Sequence, residues 1–415
     1  MLTAALLAFA SLLPTGPDRV YVLFIGDHGH HRPADRLQDV YGPLLRAGFA
    51  IDWEDELEFV TSERLADYDA VMMYANQPEH AVVPPDFFAA LQGFVREGGG
   101  FVALHCTSGC FMESDEWLQF VGARFQSHGT EVFQQEVLAP EHPLMAGWPN
   151  FTAWDETYVQ THAPGDRVVL SQRGSEPWSW VRSEGKGRIY YTASGHDERV
   201  WREPAYLDLL IRALDWTAGD EVAARRKAYQ PPTFETVEHA WVPNYEGHDP
   251  APKLQKPSSP EAARQALIVP AGLEAQLFAS EPMVVNPIAM TWDERGRLWV
   301  IETPDYPNGV QAERHGTDRI SILEDTDGDG HADKKTVFHS GLNLPTSLLK
   351  VQAGLIVTQA PDLLLLTDPD GDDQCNQVLT LFHGFGTWDT HAGPSNLRWG
   401  PDNGIWGAVG PSKPE

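Results

Sequence analysis

The stretch Gly98-Gly-Gly-Phe-Val-Ala-Leu-His105-Cys106-Thr-Ser-Gly-Cys110 constrains this chain more than any other. A glycine turn leads into a short apolar run. A run of this length after glycines reads as a buried parallel strand. Open α/β sheets bind ligands just beyond the carboxyl ends of such strands, so His105 and Cys106 stand where chemistry is expected. Two readings stay open on these residues alone. They are a site, or they are a small buried cysteine beside a hydrogen-bonded core histidine.

Around that stretch, residues 19 to 218 alternate strand and helix signals. Arg19–Ile25, Phe49–Trp53, Ala70–Tyr74, Phe101–Leu104 and Arg188–Thr192 read as strands. Ala34–Ala47, Pro85–Glu97 and Glu203–Thr217 read as helices, the second with proline at its start and glycines after its end. Such alternation predicts an α/β domain with a parallel sheet and helices on both faces. Residues 219 to 262 begin charged and turn proline-rich, which reads as a linker.

From residue 263 to 415 the pattern is short β signals separated by turns: Leu273–Phe278, Ile288–Trp292, Leu298–Ile301, Ile320–Leu323, Leu355–Thr358 and Leu363–Thr367. Two phrases echo each other, Met290-Thr-Trp-Asp-Glu-Arg-Gly-Arg-Leu-Trp-Val300 and Leu397-Arg-Trp-Gly-Pro-Asp-Asn-Gly-Ile-Trp-Gly407. Repeated strand–turn–strand units of this kind predict propeller blades. At roughly 40–50 residues a blade, the segment holds about three, an incomplete ring.

The formal net charge is −29, from 59 acidic residues against 30 Lys and Arg. That balance argues against nucleic acid and against an anionic membrane surface, both of which attract basic patches. Three cysteines, Cys106, Cys110 and Cys375, make no disulfide framework, and no CxxCH motif is present. The apolar run from Met1 to Pro14, within a leader of residues 1 to 18, is too short to span a bilayer. With Ala8-Phe-Ala10 as a small-residue cleavage pattern, it predicts export to the periplasm or beyond.

Residues 19 to 218 resemble the ThuA-like (trehalose-utilisation) family, a branch of the class I glutamine amidotransferase-like, flavodoxin-like fold. The residues that carry the likeness are His28-Gly-His30-His31, Gly98 to His105, Val121-Gly-Ala-Arg-Phe125 with His128, Glu141-His142-Pro143-Leu144, Trp154-Asp-Glu156-Thr-Tyr158 and Gly187 to His196. The resemblance implies a role in carbohydrate metabolism, with a small-molecule sugar as partner. Residues 263 to 415 resemble the β-propeller of soluble quinoprotein sugar dehydrogenases, and more narrowly the large dehydrogenase-like proteins of planctomycetes. Here Gly296-Arg-Leu-Trp-Val300, Asp325 to Asp333 and Asp389-Thr-His391 through Gly400-Pro-Asp402 carry it. That resemblance implies that His391 is the base taking a sugar hydroxyl proton. Residues that would hold a quinone are not recognisable.

Three constellations bear on chemistry. Asp325-x-Asp327-x-Asp329-Gly330-x-x-Asp333 alternates oxygen ligands around a glycine turn, the pattern that wraps Ca²⁺, although Thr336 stands where a final Glu is usual. Asp368-Pro-Asp370-Gly-Asp372-Asp373 repeats it more weakly. Cys106 falls where amidotransferase-like folds place a nucleophile, with His196-Asp-Glu198 as partners, yet its flanks His105 and Thr107 are large for the strained elbow such a nucleophile needs. In the competing reading, His30, His105 and His196 follow strand ends, and Glu156 joins them above the sheet. Imidazoles with a carboxylate suit Zn²⁺ or a similar divalent ion, or hold sugar hydroxyls directly.

Overall fold

A computed structural model describes residues 19–245, 247–309, 311 and 315–410. The apolar start read as an export signal lies outside the described residues. No helix among the described residues is long and apolar enough to cross a membrane. The chain divides into two compact units, one up to Ala275 and one from Gln276.

In the first unit the strands are β1 (Val20–Ile25), β2 (Phe49–Glu54), β3 (Ala70–Met73), β4 (Gly100–Leu104), β5 (Ala123–Gln134), β6 (Glu136–Val137), β7 (Thr152–His162), β8 (Val168–Arg173), β9 (Glu176–Glu184) and β10 (Gly187–Thr192). Eight of them form one sheet in the order β2-β1-β3-β4-β10-β9-β8-β6. The pairs from β2 to β10 are parallel, and β9, β8 and β6 extend the sheet antiparallel. The α/β expectation therefore holds for the half that carries the histidines.

Alternation along β1 shows why the sheet is covered on both sides. Val22 and Phe24 pack with Leu37, Val40 and Leu44 of the helix Pro33–Arg46 and with Leu210 of the helix Pro204–Ala218. Leu23 and Ile25 point the other way, onto Phe87, Leu91 and Val95 of the helix Pro85–Glu97. A strand buried on both faces reads as a continuous apolar run, which is what made these strands legible. The helix Pro85–Glu97 stops at Gly98, whose φ of +123° only glycine adopts without strain.

Two features depart from the sequence reading. β5 and β7 form a separate antiparallel pair of long strands outside the main sheet. The segment read as linker begins with a helix, Asp220–Ala228, which is tied back by the Arg226 guanidinium to Asp215 at 2.7 Å.

The second unit is built of antiparallel hairpins. Strands β11 (Pro287–Trp292), β12 (Leu298–Glu302), β13 (Asp318–Glu324) and β14 (Lys334–Leu342) form one sheet in chain order. Strands β15 (Ser347–Val351), β16 (Gly354–Gln359), β17 (Asp362–Thr367) and β18 (Gln377–His383) form a second, and β19 (Ser395–Trp399) pairs with β20 (Ile405–Ala408). Leu273–Phe278, expected as a strand, is not one. Ile301, Ile320 and Phe338 of the first sheet share a core with Leu348, Val357 and Leu366 of the second.

The sequence echo is a structural echo as well. In the first copy Asp293 accepts the Trp299 indole N–H at 2.9 Å, and in the second Asp402 accepts that of Trp406 at 3.0 Å. Among the described residues these sheets do not close into a ring, so the region is mostly β and no propeller is shown.

Candidate functional site

The carboxyl ends of β1, β3, β4 and β10 lie along one edge of the sheet, and β1 and β3 are the neighbours where the strand order reverses. Ligands of doubly wound sheets bind at that crevice. Asp27, just after β1, ties the loops there together. Its carboxylate accepts Gly29 N at 2.8 Å, Asn76 N at 2.6 Å and Gln77 N at 3.0 Å. The loop then delivers His31 into the interior, where its Nδ1 meets Asn76 Oδ1 at 2.6 Å.

His105 follows β4 directly, and its φ is +43°. A non-glycine residue in that region marks strain held by its surroundings. It is the strand-to-helix elbow at which other α/β enzymes expose a nucleophile. The ring is fully buried, stacks on Tyr158 at 4.2 Å between centroids, and places Nδ1 2.6 Å from Ala193 O.

After β10, Gly195 turns the chain at φ +131°, and a Cβ there would sit 2.8 Å from the Tyr206 hydroxyl. His196 comes next. Buried Asp155 accepts Gly195 N at 3.0 Å, His196 N at 3.1 Å and Glu156 N at 2.9 Å. One carboxylate therefore sets both the β10 loop and the β7 residue that faces it.

Glu156 reaches in from β7. Its Oε2 lies 3.3 Å from His105 Nε2 and its Oε1 lies 3.3 Å from His196 Nδ1. His128, on β5, approaches the same Oε1 at 3.4 Å. The His31 ring centre is 5.1 Å from that of His105 and 5.4 Å from that of His196. One ligand atom from each of His31, His105, His196 and Glu156 falls within 4.8 Å of the others.

Three of those atoms are buried without a hydrogen-bond partner: His31 Nε2, His105 Nε2 and His196 Nδ1. An unsatisfied buried polar group costs about 1–3 kcal/mol, so three in one place is a large local penalty. Backbone and amide oxygens can only accept. Ala193 O and Asn76 Oδ1 thus fix the proton on Nδ1 of His105 and His31 and leave a bare lone pair on each Nε2.

Electrostatics agree with a neutral His31 ring near a negative carboxylate. Burial, then the neighbouring imidazoles of His105, His30 and His196, push His31 down to about 3. For Glu156, burial opposes the charge, but His105 and His196 outweigh it and hold the carboxyl well below the usual range. Burial works against protonated His196 too, yet Glu156 and then Asp197 raise its pKa. These four residues could hold a divalent ion or the hydroxyls of a sugar.

Set against expectation, the structure brings His105, Glu156 and His196 together and leaves His30 out. His30 is exposed, with its ring centre 4.0 Å from that of His31 and tilted 41° to it, and the inward histidine is its neighbour. Cys106, on which the alternative nucleophile reading rests, stands outside the group as well. It is fully buried in the apolar core with Leu104, Trp201 and Tyr206, and burial pushes its thiol well up, Cys110 and Asp27 adding to it. A reactive thiolate needs the opposite environment. The strained elbow is one residue earlier, at His105.

In the second unit, Asp325, Asp327 and Asp329 place carboxylate oxygens within 4.8 Å of one another, as do Asp368, Asp370 and Asp372. Asp333 is not in that group. It accepts the Thr326 hydroxyl at 2.6 Å. His391 is exposed, with Nδ1 3.2 Å from Asp389 Oδ1. His31, Asn76 and Asp155 escaped the sequence reading. The only available signal was the doubled His30-His31, which cannot say which ring turns inward.

Residues 19–217 match the family model described as Trehalose utilisation (ThuA), and residues 259–415 match one described as Domain of unknown function (DUF7133). No curated protein matches the chain. Among solved structures, a ThuA-like protein from Parabacteroides merdae is similar at 18% identity and a TM-score of 0.43, over 49% of this chain and 91% of its own. One from Bacteroides uniformis is similar at 19% and 0.42, over 50% and 95%. A cytoplasmic protein from Salmonella typhimurium is similar at 15% and 0.35, over 47% and 98%. Residues 19–217 of this chain are a ThuA-like domain, followed by a mostly β region that matches the second model.

Proposed function

We propose that this is an exported carbohydrate-metabolism protein whose ThuA-like domain processes a sugar at the His31–His105–His196–Glu156 cluster. The observation that carries the reading is the convergence of these four side chains at the carboxyl edge of a sheet whose family is described by trehalose utilisation. Imidazole and carboxylate groups bind hydroxyls and move protons near neutral pH. His128 has a side chain 40% exposed and touches the buried Glu156, so it is the group placed to meet a sugar arriving from solvent. The test is calorimetry of the full chain with a panel of disaccharides and their keto derivatives. Binding that is lost in Glu156→Gln and His196→Ala supports the reading. No heat and no change in melting temperature with any sugar would end it.

For the second region we propose a dehydrogenase-like role, with His391 as the base toward a sugar hydroxyl, a quinone as electron acceptor and Ca²⁺ in the Asp325 loop. Its support is the motif resemblance and the run of four-stranded antiparallel sheets. Sugar-dependent dye reduction after adding quinone and Ca²⁺ is expected to vanish in His391→Ala. No reduction in the parent protein would count against it. Export is tested by N-terminal sequencing of protein from its native source, where an intact Met1 would contradict it.

A further inference from the structure

We propose that His31, His105, His196 and Glu156 are the ligands of one divalent transition-metal ion of the zinc class. His31 and His105 are 5% and 0% exposed, and each aims an unpartnered Nε2 into the same small space. His196 adds an unpartnered Nδ1, and one ligand atom from each of these residues lies within 4.8 Å of the others. Facing them is the Glu156 carboxylate, with Oε2 3.3 Å from His105 Nε2 and Oε1 3.3 Å from His196 Nδ1. With its proton on Nδ1 toward Ala193 O, His105 brings the Nε2 lone pair within 3.3 Å of a Glu156 oxygen. Two lone pairs that close repel unless a positive charge sits between them.

A proton is the smallest such charge, but it can join only one pair of atoms. It would still leave the buried His31 Nε2 without a partner. A single cation serves all four. Neutral imidazoles with one carboxylate suit Zn²⁺, Fe²⁺, Co²⁺ or Ni²⁺, whereas Ca²⁺ and Mg²⁺ take oxygen ligands. Outer partners are in place as well. Metal-bound histidines usually donate their other N–H to a carbonyl or carboxylate, and here Asn76 Oδ1 and Ala193 O receive it. His196 and Glu156 are set by backbone bonds to the shared Asp155. The inference goes beyond the carbohydrate reading and does not rest on it.

The experiment uses the full chain, stripped with chelator and then titrated with Co²⁺ and Zn²⁺. One Zn²⁺ per chain by elemental analysis is expected. Co²⁺ should give visible d–d bands, which ligation by the carboxylate loops of the second region would not give with nitrogen character. His31→Ala and His105→Ala should abolish the bands, while His30→Ala leaves them unchanged. Should an alanine variant fail to fold, His31→Gln read beside its circular dichroism keeps the comparison open. The proposal is overturned if the parent protein binds no more Co²⁺ than His105→Ala, or if His30→Ala weakens binding as much as His31→Ala. Sugar titration of the metal-loaded chain is read separately, so a failed sugar result leaves this result standing.

Discussion

Asn76 Oδ1 lies 2.6 Å from His31 Nδ1, and Asn76 is itself held by Asp27, so the loop after β3 decides how the loop after β1 presents its histidine. This predicts that Asn76→Ala keeps the fold and weakens Zn²⁺ binding by about 10–100-fold, the usual cost of losing a partner behind a metal ligand. Competition with a chromophoric chelator measures it. Equal affinity in the variant would mean that Asn76 does not orient His31.

Cysteine labelling separates the elbow histidine from the neighbouring thiol. Cys106 and Cys110 are buried and Cys375 is half-buried. Burial pushes both interior thiols well up. Thiolate is the reactive form, so the native protein should take one iodoacetamide, at Cys375, and the denatured protein three. Mass spectrometry of the labelled peptides reads this directly. Rapid native labelling of Cys106 would restore the nucleophile reading.

What was legible in the sequence follows from burial. Strands β1, β3 and β4 are covered on both faces, so their apolar runs stand out, and the residues after them were recognisable as site candidates. The β5–β7 arm was invisible for the converse reason. Most of β5 is exposed, so Gln126-Ser-His-Gly-Thr-Glu131 shows no apolar alternation, and its pairing with β7 is long-range. Glu156 was found through the resemblance rather than through any strand signal. His30 and His31 differ only in how the loop turns before Arg32, whose φ is +55°, and no periodicity crosses such a turn. The sequence does not show that the strain falls on His105 rather than on Cys106, because the elbow is a tertiary feature.

Glu302 makes the second region acid-sensitive. Its side chain is fully buried between Arg319 at 2.8 Å and Lys335 at 2.7 Å. Burial opposes the charge, but Arg319, Lys335 and Ser321 outweigh it and lower the carboxyl to about 2. Because the folded value lies below the unfolded one, the unfolded chain binds the extra proton as pH falls. The stabilisation is whole above about pH 4.3, the unfolded value, and is lost progressively toward pH 2. Glu302→Gln should cost about 3 kcal/mol at pH 7, the low end for a broken buried pair since Arg319 is partly exposed. It should also flatten the stability curve between those pH values. Urea unfolding across the range measures both, and an unchanged slope would remove Glu302 as the cause.

The two aspartate loops of the second region share one turn geometry, and this sets the calcium prediction. Asp325 accepts Gly328 N at 2.7 Å and Gly330 N at 2.8 Å, and Asp368 accepts Gly371 N at 2.8 Å and Asp373 N at 2.9 Å. Each turn gathers three carboxylates whose mutual repulsion a hard cation would relieve. An ion bound only to the folded state stabilises it by about 2.7 kcal/mol at a hundredfold excess over Kd. The full chain should therefore melt at higher temperature in Ca²⁺ than in chelator, and Asp327→Ala should shrink that difference. Asp333→Ala should leave it, because Asp333 is engaged by Thr326 and stands outside the group. Identical melting curves with Ca²⁺ and with chelator would show that these are solvated turns, and equal losses in Asp327→Ala and Asp333→Ala would return Asp333 to the ligand set.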